Sequence, residues 1–252
     1  MKAALFVAVV VLLWTAWDTG ADPVRLARGL PWILDFLRRM LPPDLAVLPA
    51  ALAGAVKTVE IALLGTAVAA LLALPLGFLS ARNVAPAPVF LPARTALNFF
   101  RSVDTLVYAL VFVAAVGLGP FPGVLAVVAY TTTSLAKLYS EAIEGIEPGP
   151  VDAVTATGAT RLQVLRYGVL PQVLPLFISQ SLYFWESNTR SATIIGAVGA
   201  GGIGLKLWEA MRTNSDWENV AYMVLLILVV VFVFDNISNF LRKRLVNAQP
   251  AH

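Results

Sequence analysis

The sequence predicts an all-α integral membrane protein with about six membrane-crossing helices. Three observations carry that expectation. Of the 252 residues 59% are hydrophobic and only 13% are charged, against roughly 25% charged in a soluble domain. The apolar residues fall in blocks long enough to cross a bilayer, which takes about 20 residues as helix. Most of the lysines and arginines sit in the connections between those blocks, as they do in multi-pass proteins. With no cysteine, and with a single histidine at the last position, His252, neither a thiolate metal site nor histidine chemistry has residues to stand on.

The first expected span runs from Ala3 to Trp17 behind a charged Met1-Lys2 start. The flank Asp18-Thr19-Gly20 lacks a small-residue cleavage site, so the reading is a retained signal anchor rather than a cleaved leader. From Asp18 to Lys57 the chain mixes Arg25, Arg28, Arg38 and Arg39 with Leu, Trp and Phe; this suits a helix lying along the membrane interface, or equally a solvated one. The second span is Thr58 to Ala81, followed by a proline-rich connector, Arg82 to Arg94, too interrupted for one continuous helix. Val103 to Val116 forms the third span, and Gly117 to Gly123 turns into the fourth, Val124 to Tyr139. Leu174 to Val198 and Val220 to Leu241 supply the fifth and sixth. Asp235, Asn236, Ser238 and Asn239 read as the polar end of the sixth. No tandem repeat or second domain is visible. The organisation is an anchor and external segment (1–57), a membrane core (58–244) and a short tail (245–252).

Placing both termini in the cytoplasm puts Lys2, Arg82, Arg94, Arg101, Lys137, Arg161, Arg166, Arg242, Lys243 and Arg244 inside and leaves Lys206 and Arg212 in the last external loop. That asymmetry favours this orientation. Arg25, Arg28, Arg38, Arg39 and Lys57 fall outside, within a segment long enough to be translocated despite its charge.

Between the fourth and fifth spans, 140–171 is too ordered for a plain connector. Pro148 and Pro150 end one segment. Asp152 opens a helix-compatible run, with its carboxylate near the positive helix end, Gly158 interrupts it and Leu170-Pro171 closes it. Asp152-Ala153-Val154, then Gly158, then Gly168-Val169-Leu170-Pro171 has the spacing of the loop that ABC importer permeases carry as Glu-Ala-Ala, Gly and Ile-x-Leu-Pro. The chain resembles that type I, MetI-like family, with Asp152, Val154 and Gly168 departing from the pattern. More finely, "VGLGPFPGVLA", "KLYSEAIEGIEPGP", "TGATRLQVLRYGVLPQVLP" and "RSATIIGAVGAGGIG" are similar to the phosphonate/phosphite importer permeases.

The resemblance implies a permease of the bacterial inner membrane with no catalytic site and no cofactor of its own. It implies a homodimer in membrane lipid with two cytoplasmic ATPase subunits, which bind ATP and Mg, and an extracytoplasmic substrate-binding protein; nucleic acid has no part in it. Asp152, Ala153, Gly158 and Leu170 take the coupling role by position.

Glu186 and Arg190 are four residues apart in the fifth span. A charged side chain at bilayer centre costs about 2.5 to 3.5 kcal/mol on insertion scales, so the pair has a use. Either it neutralises itself and fixes packing, or Arg190, with Asn188, Ser191 and Thr193, lines a wet route for an oxyanion that a guanidinium fork can grip. Asp104 and Tyr108 could face the same route; Asp104 stands where the subfamily pattern has proline. Thr131, Thr132, Thr133 and Ser134 fit helix-to-helix hydrogen bonds better than a pathway. Gly199 to Gly204 satisfies G-x-G-x-x-G but follows an apolar helix, not a strand, which argues against a dinucleotide site and for close helix contact with a flexible external turn. Trp208 and Trp217, near Glu209 and Asp216, read as interface anchors. An intramembrane enzyme using Glu186 or Asp104, or a permease for an amino acid or betaine, are the competing readings.

Overall fold

The computed structural model describes residues 2–20, 22–39, 48–213 and 217–246. Among them every regular element is a helix. Residues 247–252, with His252, and Asp216 lie outside the described residues. Helix α1 (Lys2–Asp18) is apolar on all sides, and α2 (Pro23–Arg39) starts where the Asp22 carboxylate accepts the Val24 N–H at 2.8 Å. Helix α3 (Leu48–Ser80) begins well before the expected start at Thr58, so the boundary drawn at residue 57 falls inside a helix.

A stripe of small buried residues runs down α3: Ala51, Gly54, Ala55, Thr58, Ala62, Gly65, Thr66, Ala69, Ala73 and Gly77. Its spacing of three and four keeps it on one face. That face lets α6 (Pro120–Glu144) come close, because small residues admit a neighbouring backbone where lipid supplies no hydrophobic drive. A Cβ on Gly65 would sit 2.8 Å from the Val127 Cβ, and one on Gly77 would sit 2.8 Å from the Tyr139 Cβ.

The third span differs from expectation. Residues 87–101 form a helix, α4 (Ala87–Arg101), with Pro92 inside it, and α5 (Thr105–Val116) follows at a bend of 82°. The proline-rich connector is thus non-helical only around residues 81–86. Pro86 in extended conformation caps α4, and Pro88 falls in its first turn, where a missing N–H costs nothing.

Beyond α6 come α7 (Pro148–Ala156), the single turn α8 (Arg161–Val164), a wide turn at Leu165–Val169 and the long α9 (Leu170–Ile195). A second wide turn, Gly196–Ala200, leads to α10 (Gly202–Thr213) and α11 (Trp217–Val246). Asp235 falls within α11.

Two apolar cores hold the bundle. Near α7, Leu135, Tyr139 and Ile143 of α6 pack with Leu97, Val173 and Phe177, the Tyr139 and Phe177 rings stacked at 4.0 Å. At the other end, Ile61, Ala109, Val127, Ala192 and Ile195 form the second. Three described stretches are long and apolar enough to cross a membrane: Leu48–Ser80, Pro120–Glu144 and Arg161–Ala200. The bent α4–α5 pair makes a fourth if it crosses as one broken span, while Leu5–Asp18 and Val220–Val233 are shorter apolar helices.

Candidate functional site

The segment after α6 is built from local signals. Helix α7 starts at Pro148 with Glu147 as its N-cap, so Asp152 stands in mid-helix and not at the positive end where its spacing had placed it. Asp152, Ala153, Thr155 and Ala156 are exposed, whereas Val151 and Val154 turn toward the body. Gly158, at φ +76°, makes the left-handed step that ends this run. Thr160 and Gln163 then cap α8 reciprocally: the Thr160 N–H donates to Gln163 Oε1 at 2.7 Å, and the Gln163 N–H to the Thr160 hydroxyl. That Thr-x-x-Gln spacing is a capping signal legible in sequence, though not among the expectations given for 140–171. With it were missed Leu162 and Tyr167, 77% and 60% exposed on the same end of the molecule. The Arg166 guanidinium lies 5.6 Å from the Tyr167 ring.

Leu170 belongs elsewhere. It is half-buried against the core around Val169 and Val173, and with Pro171 it opens α9 instead of closing the loop. Pro171 has no N–H to offer the turn before it, and there the Leu170 N–H reaches back to the Leu165 carbonyl, widening the helix. Gly168 explains one departure from the family pattern: a Cβ there would lie 3.1 Å from the Val151 Cα, so glycine lets α7 seat against the wide turn.

In α9, Arg190 Nη2 lies 3.2 Å from Glu186 Oε1, with the acid 12% exposed and the base 44%. Arg190 shares an exposed stripe with Leu176, Tyr183, Ile194 and Ala197. Asn188 points the other way. It is buried, donates to the Thr66 hydroxyl at 2.8 Å and to the Thr131 hydroxyl at 2.9 Å, and so ties α9 to α3 and α6. Thr193 is spent on the Thr189 carbonyl at 3.2 Å, and Ser191 is half-buried. Of the expected route residues in this span, Glu186 and Arg190 are brought together and Asn188 is set apart.

Of the hydroxyl run, Thr131 makes the expected bond between helices, while the Thr133 hydroxyl donates to its own helix at the Tyr130 carbonyl. The buried Thr132 and Ser134 hydroxyls have no hydrogen-bond partner among the described residues.

Asp104 caps α5: its Oδ1 accepts the Leu106 N–H at 2.8 Å. The Tyr108 hydroxyl donates back across the bend to the Phe100 carbonyl at 2.8 Å. Both residues therefore build the 82° corner, and Tyr108 packs against the core that Ala192 and Ile195 of α9 help to form.

The glycine run is packed rather than loose. Gly199, Gly201 and Gly202 all have positive φ, and Gly199 accepts the Gly119 N–H at 2.9 Å. A Cβ on Gly204 would collide with the Thr193 carbonyl, and one on Gly196 with the Gly201 carbonyl. The Ile203 N–H donates to the Thr58 hydroxyl at 2.9 Å, which fastens the start of α10 to α3. With a helix on both sides, this is not the strand-to-helix loop that a dinucleotide needs.

Residues 73–247 match the family described as the binding-protein-dependent transport system inner membrane component. The phosphite transport system permease protein PtxC of Stutzerimonas stutzeri is 42% identical over 235 residues, covering 92% of this chain and 85% of PtxC. The phosphate-import permease protein PhnE of Mycolicibacterium smegmatis is 41% identical over 210 residues, covering 82% of this chain and 39% of PhnE. Among solved structures, an inward-facing MetNI methionine ABC transporter matches with a TM-score of 0.69 at 19% identity, over 80% of this chain and 99% of the matched one.

Proposed function

Because the chain belongs to the binding-protein-dependent transport system inner membrane components and has the all-helical type I permease fold, we propose that it is the membrane-spanning subunit of an ATP-driven importer of a phosphorus oxyanion. The observation that carries this reading is the α7–α8 segment. Gly158 turns it and the Thr160 capping box fixes the start of α8, and among the described residues Asp152, Ala153, Leu162 and Tyr167 are exposed on it. Exposed Leu and Tyr beside a capped helix are what a soluble partner can grip.

In this reading two permease subunits, taken to be copies of this chain, hold one pair of cytoplasmic ATPases at their α7 helices. Both termini lie in the cytoplasm. ATP and Mg stay on the partner subunits. Their closure draws the α7 helices together and opens the membrane passage outward; a binding protein delivers the cargo, and hydrolysis resets the passage. The Arg190 fork contacts the phosphorus oxygens on the way, with Glu186 beside it keeping the hold weak enough for release. The cargo class rests on the relatives named for phosphite and phosphate.

Deleting Val151 to Thr160 tests the docking role. The variant should reach the membrane at normal abundance and no longer copurify with ATPase subunits; recovery of an intact complex would count against the reading. Uptake competition among phosphite, hypophosphite, methylphosphonate and phosphate, in cells carrying the matched binding protein, ranks the cargo. Inhibition by none of the four would remove the oxyanion assignment.

A further inference from the structure

The last turn of α6 carries a charge cluster that the transport reading leaves unused. Glu144 ends that helix with its side chain only 12% exposed. A carboxylate there faces the negative end of the helix dipole, an unfavourable place unless cations offset it. Two do so. Arg94 of α4 puts Nη1 at 2.9 Å from Oε1, and Arg82 puts Nε at 3.7 Å from Oε2. The Arg82 backbone N–H also donates to Oε1 at 3.0 Å, and Asn83 donates from Nδ2 to the Ile143 carbonyl at 2.7 Å. One carboxylate therefore binds the end of α6 to the α3–α4 connector and to α4 itself.

The same end of α6 leads directly into α7. Glu147, the α7 N-cap, is held by Gln172 of α9: its N–H donates to Oε1 at 3.0 Å and its carbonyl accepts from Nε2 at 3.3 Å. Gln172 Nε2 also donates to the Gly168 carbonyl at 2.7 Å, in the wide turn against which α7 seats. On its other side α4 is lightly held. Leu97 is its one buried residue among those described, and an 82° corner separates it from α5. Beside the packing of Leu97 against the α6 core, Glu144 carries the ionic contact between the end of α6 and α4.

We propose that Glu144 is a positioning residue for transport: by clamping Arg94 and Arg82 it transmits the stroke of α7 to α4 and to the corner capped by Asp104. The inference rests on the importer reading and adds a route for the motion. A rigid link of this kind acts through coupling between sites, so its loss shows in the coupling and not in the docking.

The test uses the complete complex in liposomes, with ATP hydrolysis and uptake measured with and without the binding protein. Glu144→Gln and Arg94→Gln should each retain their ATPase subunits. Each should lower uptake about tenfold, within the range typical of coupling between sites, while hydrolysis persists and loses its stimulation by the binding protein. Glu144→Gln/Arg94→Gln should be no worse than either single change, since each already breaks the clamp. Arg94→Lys, which keeps the charge and loses the planar fork, should fall between. Unchanged stimulation in Glu144→Gln, additive losses in the double variant, or loss of the ATPase subunits would overturn the proposal. Absence of ATP-dependent uptake in the unaltered complex is a different result and would sink the importer reading itself.

Discussion

Asn188 illustrates how a polar side chain is held at membrane depth: its amide joins three helices through the hydroxyls of Thr66 and Thr131. Hydrogen bonds between helices in membranes contribute about 0.6 kcal/mol each on average and up to about 1.7, and removing the shared partner strands two hydroxyls. Asn188→Val should therefore destabilise the permease by about 1 to 2 kcal/mol, measured by reversible unfolding in mixed micelles. Arg190→Gln should stay within about 0.5 kcal/mol of the unaltered chain, because its ion pair is 44% exposed on the arginine side. A reversal of that order would mean that the charged pair, and not the amide, fixes the packing. Glycine positions give a second contrast. Gly204→Ala drives a methyl into the Thr193 carbonyl and should cost stability sharply, whereas Gly29→Ala, inside α2 with nothing within 4 Å of the added Cβ, should be neutral or stabilising by up to about 1 kcal/mol. Equal effects at the two sites would show that the glycine turn can relax.

At the scale of elements, the corner between α4 and α5 turns on its cap. Asp104→Ala removes an N-cap, typically about 1 kcal/mol, while Asp104→Asn keeps an oxygen for the Leu106 N–H. If Asp104 acts as a cap, Asn retains transport and Ala lowers it together with stability; equal loss in both would return Asp104 to the route. The elements themselves were largely legible: apolar blocks marked the three long spans, and Gly158 marked the break after α7. The corner was not, because prolines read as helix breakers when Pro86 and Pro88 are in fact starting residues, and Pro92 sits where α4 tolerates it. That Asn188 and Arg190 point to different faces was hidden for a related reason. Their two-residue separation turns one about 200° from the other around the helix axis, and the partners of Asn188 come from α3 and α6, far away in sequence.

For the whole molecule the question is what covers the exposed stripe of α9. Arg190 shares it with Leu176, Tyr183 and Ile194, all exposed among the described residues. Apolar members of the stripe are at ease against lipid. An arginine is not: facing hydrocarbon it would cost about 2.5 to 3.5 kcal/mol on insertion scales. Its i, i+4 partner reduces that cost, and the arginine side chain is 44% exposed. In the proposed importer a second permease subunit across a wet passage would meet both demands: it would cover the apolar residues and leave the fork in water, on the path proposed for the oxyanion. Arg190→Ala should then assemble with its ATPase subunits and lose uptake by tenfold or more, the order of one charge-assisted bidentate contact at about 1.5 to 3 kcal/mol. Glu186→Gln should go the other way on binding, holding the anion more tightly while slowing turnover, because the acid that weakens the grip is gone. The two changes are separable by measuring uptake rate against cargo concentration: a higher half-saturation in the first, and a lower half-saturation with a lower maximal rate in the second. Uptake unchanged by both would assign the pair to helix packing and place the passage on another face of the bundle.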